Sequence, residues 1–257
     1  MTVIEVPPAH QPADRMVNLR DLGGLPTEDG GRTLDGVLYR GDAPHPGDHT
    51  PTGLAHWPPR VVVDLRATIE HNGHPHPLAC NGTRVHRIPL LDDIAAAPQD
   101  TPVTLPTLVT IYTHLLDGSA VDLARVAGIV AAAEGPTLIH CSAGKDRTGV
   151  AVALLLRAAG VRRDAVVADY VRTDRNMPGV MLRMAGNPML PPGVDPQAVR
   201  ELMSAPAAAI GVVLDRIDAH PGGAYGWLRD HGARTADLDR WRARLVDVHR
   251  PTRLSTR

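Results

Sequence analysis

Cys141 and Arg147 bracket five residues, Ser142-Ala143-Gly144-Lys145-Asp146, with His140 before them and Thr148-Gly149 after. A thiol attacks as its thiolate, and a positive local field favours that form. An arginine at the far end of so short a loop presents a planar fork that can hold two oxygens of one phosphate. Thr148 adds a hydroxyl suited to the sulfur or to a leaving thiolate. Such a set suits nucleophilic attack on phosphorus, with Cys141 as nucleophile and Arg147 as the clamp on the developing charge.

The elements on either side fit that chemistry. Upstream, Pro136-Thr137-Leu138-Ile139 is short, apolar and β-leaning, a buried strand. Downstream, Val150 to Ala159 is a strong helix former that stops at Gly160. Strand, tight loop and helix start aim free backbone N–H groups at one point, where the helix dipole adds positive potential. Ser142, Ala143, Gly144, Lys145, Thr148 and Gly149 are the candidate substrate-binding positions. His140, behind the cysteine, is better suited to tuning the thiolate than to moving a proton.

The run His140-Cys141-Ser142-Ala143-Gly144-Lys145-Asp146-Arg147-Thr148-Gly149 resembles the phosphate loop of cysteine-dependent tyrosine phosphatases. It is most similar to their bacterial tyrosine and dual-specificity, phosphoinositide-active branch. Asn18-Leu19-Arg20-Asp21-Leu22-Gly23-Gly24 resembles that family's opening motif, with Leu19 in place of an aromatic residue. Asp64-Leu65-Arg66 with Glu70 resembles a third motif. The resemblance implies phosphotyrosine hydrolysis through a phosphocysteine, with no metal or cofactor. It also extends the expected substrates to phosphoserine, phosphothreonine and phosphoinositides, with Lys145 as the second cation. The rival readings are a sulfurtransferase or thiol redox enzyme, and an inactive phospho-recognition module. Arg147-Thr148, the intact Cys141 and the lack of a nearby resolving cysteine oppose both.

A general acid must accompany this nucleophile. Asp92 follows the strand expected at Arg84–Leu90 and resembles the family's mobile-loop aspartate. Asp146 lies inside the loop, where a bound phosphate dianion favours a carboxyl's protonated, donating form. Asp92 ranks first, Asp146 second and Asp93 third. Arg66 and Glu70, four apart, suggest a structural ion pair. His71, His74 and His76 are expected in a solvated loop rather than at a metal. Residues 176–194, interrupted by prolines and rich in Met, suggest either a lid or a core-packing helix pair.

Composition bounds the rest. The chain has 257 residues, 43% of them hydrophobic, and a formal charge of −1, so no basic excess points to nucleic acid or a membrane surface. Two cysteines, Cys80 and Cys141, make no disulfide framework. No signal-peptide pattern and no transmembrane-length apolar run is present, which suggests a cytoplasmic protein and leaves export by a specialised route open. The expected architecture is α/β: residues 1–16 an extended arm, and 17–257 one phosphatase domain. A small, mostly parallel sheet flanked by helices leads to a helical C-terminal part. The oligomeric state stays undefined.

Overall fold

The computed structural model describes residues 14–71, 73–79, 82–92, 106–184 and 196–247. The expected N-terminal arm, Cys80, Asp93 and residues 185–194 of the Met-rich segment lie wholly or largely outside them. Four strands, β3 (Leu38–Gly41), β4 (Val61–Asp64), β5 (Arg84–Arg87) and β6 (Thr137–His140), run parallel in the spatial order β3-β6-β4-β5. β1 (Arg20–Asp21) closes the β3 edge antiparallel. A separate two-residue ladder joins β2 (Arg32–Thr33) to β7 (Val246–Asp247). The register sets Gly41 and Asp64 beside His140, and Arg87 beside Asp64, so four carboxyl ends lie in one row. In open α/β sheets that row is where ligands bind.

Helices cover the sheet. α1 (Leu108–Gly118) and α2 (Ala120–Ala132) precede β6, and α3 (Asp146–Ala158) follows it. After them come α4 (Arg163–Met184), α5 (Pro196–Met203), α6 (Ala207–Asp218), α7 (Gly223–Asp230) and α8 (Thr235–Leu245). The run Val150–Leu156 is buried at every position, as expected of a helix apolar all round and packed on several sides. Trp241 of α8, fully buried, donates its indole N–H to Leu155 O at 2.9 Å and fixes α8 on that helix.

Two local expectations fail for identifiable reasons. The spacing Ser119-x-x-Asp122 suggests a capping box at the start of α2, yet Ser119 makes no side-chain cap bond. It is also the residue that ends α1, and its φ of −116° and ψ of 19° do not have the extended geometry of a capping side chain. Pro178 does not break the chain: α4 runs through it to Met184. An interior proline costs about 3 kcal/mol; burial of Met177 before it and Val180 after it, with the ion pairs of Arg183 to Asp42 and Asp48 at 2.8 Å, offsets that cost. Residues 176–184 therefore belong to a packed helix. None of the described helices is long and apolar enough to cross a membrane.

Candidate active site

Cys141 follows β6 directly and is 2% exposed, at the bottom of a loop that ends where α3 begins. What shapes this loop is the fate of its carbonyls. Cys141 O lies 3.1 Å from His140 Nδ1, and Ser142 O accepts from Ala43 N at 3.0 Å. Ala143 O accepts from Asn18 Nδ2 at 2.9 Å, and Gly144 O from Arg40 at 2.8 Å. Lys145 O accepts the first helical bond, from Gly149 N. In a trans peptide C=O and the next N–H point opposite ways. Holding these carbonyls outward turns the N–H groups of Ser142, Ala143, Gly144 and Lys145 to the inner side. The result is an anion cup at a helix N-terminus.

The cup presses close to β3. Gly144 has φ +68°, and a Cβ there would overlap the Gly41 carbonyl and Asp42 N, so only glycine fits. The outside supports are themselves braced. Asn18 Oδ1 accepts from Arg20 at 2.7 Å and from Asn176 at 3.0 Å, which leaves Nδ2 to donate to the loop. Asp169 of α4 binds Arg20 at 2.6 Å and Arg40 at 2.7 Å, with all three side chains buried. Burial pushes the Asp169 carboxyl up, but Arg40 and Arg20 outweigh it and hold it below its ordinary value. None of Asn18, Arg40 and Asp169 was singled out as a site residue from sequence. The Asn18 to Gly24 motif was the available signal, but it carries no indication of which loop it braces.

At the mouth, Arg147 and Glu70 form a bidentate pair, and Ser142 Oγ donates to the same carboxylate. Glu70 Oε2 also accepts from Ala67 N at 2.8 Å. The expected Arg66–Glu70 pair is therefore wrong. Arg66 binds Asp64 instead, at 2.7 Å. Pairing at i,i+4 needs an α-helix between the two residues, whereas Arg66 precedes a 3₁₀ turn (Thr68–His71) in which Glu70 swings to the loop. Burial disfavours the Arg147 charge, but Glu70, Cys141 and Asp146 more than compensate and push its pKa up.

The structure separates the acid candidates. Asp146 begins α3; its Oδ1 accepts from Tyr112 at 2.8 Å and lies 3.3 Å from Lys145. Both oxygens of Asp92 accept from Thr68, at 2.6 Å from its N–H and 2.7 Å from its hydroxyl. Lys145 is buried and donates to the carbonyls of Leu202 and Ser204 at the end of α5. Thr148 Oγ1 is buried and has no hydrogen-bond partner among the described residues. The solvated-loop expectation holds for His74 and fails for the other two: the His71 side chain is 7% exposed with Nε2 3.4 Å from Asp64, and His76 is 4% exposed and lies 2.9 Å from His140. Its ring is drawn inward because the buried His140 nitrogen needs a partner.

A mostly parallel sheet whose carboxyl ends carry a cysteine–arginine cup of inward amides defines a cysteine-loop phosphatase architecture. Residues 11–247 match the sequence profile of the tyrosine phosphatase family. The chain belongs to that family and is a protein-tyrosine phosphatase. It is 31% identical over 235 residues to a Cupriavidus necator protein provisionally named a tyrosine-protein phosphatase, covering 84% of this chain and 82% of that one. Over 142 residues it is 36% identical to the triple specificity protein phosphatase PtpB of Mycobacterium tuberculosis, covering 51% of this chain and 50% of that one. A Nostoc commune tyrosine-protein phosphatase is 28% identical over 242 residues, 91% of this chain and 75% of that one.

Proposed function

We propose that the protein hydrolyses phosphotyrosine through a phosphocysteine formed on Cys141. The observation that carries this is the outward tethering of successive loop carbonyls, which presets the cup for a dianion's equatorial oxygens. Cys141 Sγ attacks phosphorus; the S–P bond forms as the P–O bond to the leaving group breaks. The N–H groups of residues 142–145 and the Arg147 guanidinium hold the three equatorial oxygens. Arg147 has five donors, so two can stay on Glu70 while others face phosphate. Thr148 Oγ1, buried and uncommitted, serves the sulfur as it becomes a leaving group. Water then cleaves S–P and releases phosphate.

Asp146 is the acid this arrangement favours, because both Asp92 oxygens are already committed to Thr68. A deeply buried Cys141 favours an aryl phosphate long enough to reach it. Ile69, 68% exposed beside Glu70, offers an apolar wall to that ring. The PtpB relative's triple specificity favours a second reading, in which phosphoserine, phosphothreonine or phosphoinositides are also turned over. The thiolate mechanism suits a reducing, cytoplasmic setting.

The test is a denaturing quench during turnover, followed by intact-protein mass measurement. A phosphoryl adduct on wild type that is missing from Cys141→Ser supports the mechanism. Turnover by Cys141→Ser at the wild-type rate overturns it. A panel of phosphotyrosine, phosphoserine and phosphoinositide substrates fixes the range.

A further inference from the structure

We infer that His76 is a positioning residue of the phosphate cup. It holds His140 in the tautomer that donates to the Cys141 carbonyl, and so aims the Ser142 N–H at the substrate.

The tautomers follow from the two ends of a hydrogen-bond chain. Leu78 N–H lies 3.1 Å from His76 Nδ1. An amide N–H can only donate, so Nδ1 accepts and a neutral His76 carries its proton on Nε2. That nitrogen is 2.9 Å from His140 Nε2, which must then be the acceptor and leave the His140 proton on Nδ1. His140 Nδ1 is 3.1 Å from Cys141 O, and a carbonyl oxygen can only accept. Both ends demand the same assignment, and the chain closes without conflict. Burial pushes both imidazoles down, His76 to about 3 with His140 contributing, which agrees with two neutral rings.

The same pattern argues against the other use of this cluster. Asp64, His76 and His140 bring three potential ligand atoms within 4.8 Å of one another. An ion would need a lone pair on His76 Nε2, which carries the proton. The Asp64 oxygens are also engaged by Arg66, at 2.7 to 3.2 Å.

His76 is needed because His140 has an alternative. Its Nε2 is 3.8 Å from Asp64 Oδ1. With His76 removed, a proton on Nε2 would turn towards that carboxylate. The Nδ1 lone pair would then face the Cys141 carbonyl and repel it. Ser142 O, Ala143 O and Gly144 O are held from other segments, but the Cys141 carbonyl depends on this ring.

The test is long-range nitrogen–proton correlation NMR on protein labelled at histidine, read beside kinetics and vanadate binding. In wild type we expect His140 protonated on Nδ1 and His76 on Nε2. In His76→Leu the His140 proton moves to Nε2, and kcat and vanadate affinity fall about tenfold, the worth of one orienting hydrogen bond. In His76→Gln, whose amide can donate to the same nitrogen, the Nδ1 form and most activity return. Wild-type His140 protonated on Nε2, or a stoichiometric metal bound at these residues, overturns the inference. So does His76→Leu with full vanadate affinity. The kinetic readout rests on the phosphatase reading, but the tautomer readout does not, so the two can fail separately.

Discussion

Glu70 grips Arg147 through both guanidinium N–H₂ groups while also accepting the Ser142 hydroxyl, so one carboxylate joins the two ends of the cup. Burial pushes the Glu70 carboxyl up, but Arg147 and Ser142 outweigh it and hold its pKa below its ordinary value. Arg147 is therefore held in one orientation by Glu70.

Glu70→Gln should lower kcat/KM on an aryl phosphate by roughly 10- to 100-fold, the usual scale for losing a supporting charge-assisted pair. Vanadate affinity should fall in parallel. Tighter vanadate binding in the variant would mean that Glu70 competes with phosphate rather than positioning Arg147.

Asp169 lies between two buried arginines and keeps both paired. Asp169→Ala should destabilise the fold by about 3–5 kcal/mol, because it leaves buried charge uncompensated. Urea unfolding of that variant checks the figure. Asn18→Ala should lose only about 1–2 kcal/mol but also weaken vanadate binding, since it frees the Ala143 carbonyl. Unchanged vanadate affinity in Asn18→Ala would count against the tethering account.

Much of this was legible in the chain, and the boundary is physical. The strand–loop–helix around Cys141 is local, so periodicity and glycine placement expose it. The partners that hold it are distant: Glu70 is 77 residues from Arg147, Arg40 is 104 from Gly144 and Asn18 is 125 from Ala143. Those pairings exist because β3 and β4 flank β6, an order that spacing along the chain does not encode. Local rules then choose wrongly among nearby charges. Arg66 looked four residues ahead to Glu70, whereas the strand end offered Asp64 two residues behind.

Lys145 makes a related point. A lysine inside a phosphate loop suggests a second phosphate, but this one caps the end of α5 through Leu202 O and Ser204 O. Lys145→Met should therefore speed amide exchange across residues 196–206 and lower turnover of phosphotyrosine and phosphoinositide substrates alike. A loss confined to phosphoinositides would restore the role inferred from sequence.

Acid should destabilise this protein well before its carboxylates titrate. The His76 value is held at about 3 in the fold, chiefly by burial, against 6.5 ordinarily. Between those values the unfolded chain binds a proton at His76 that the native state does not, so stability falls as pH drops from 6.5. The slope is about 1.4 kcal/mol per pH unit for one such proton. His140, also depressed by burial, adds to it. Unfolding free energies of wild type and His76→Gln across this range should diverge, with the variant shallower. Parallel curves would mean that His76 is already protonated in the native state.

Asp146 and Asp92 can be told apart by the leaving group. A general acid typically contributes about 10²–10⁴-fold, and only where the departing oxygen needs a proton. Asp146→Asn should lose most of its rate on a phenyl or alkyl phosphate, and far less on an activated nitrophenyl ester. It should also lose the basic limb of the pH–rate profile. Asp92→Asn should keep that limb, because its carboxylate is spent on the Thr68 N–H and hydroxyl. Its effect should be a modest, leaving-group-independent loss, from slackening the turn that carries Glu70. If the leaving-group sensitivity and the missing limb belong to Asp92→Asn, the proton comes from outside the loop, and the Asp146 carboxylate only braces Tyr112 and Lys145.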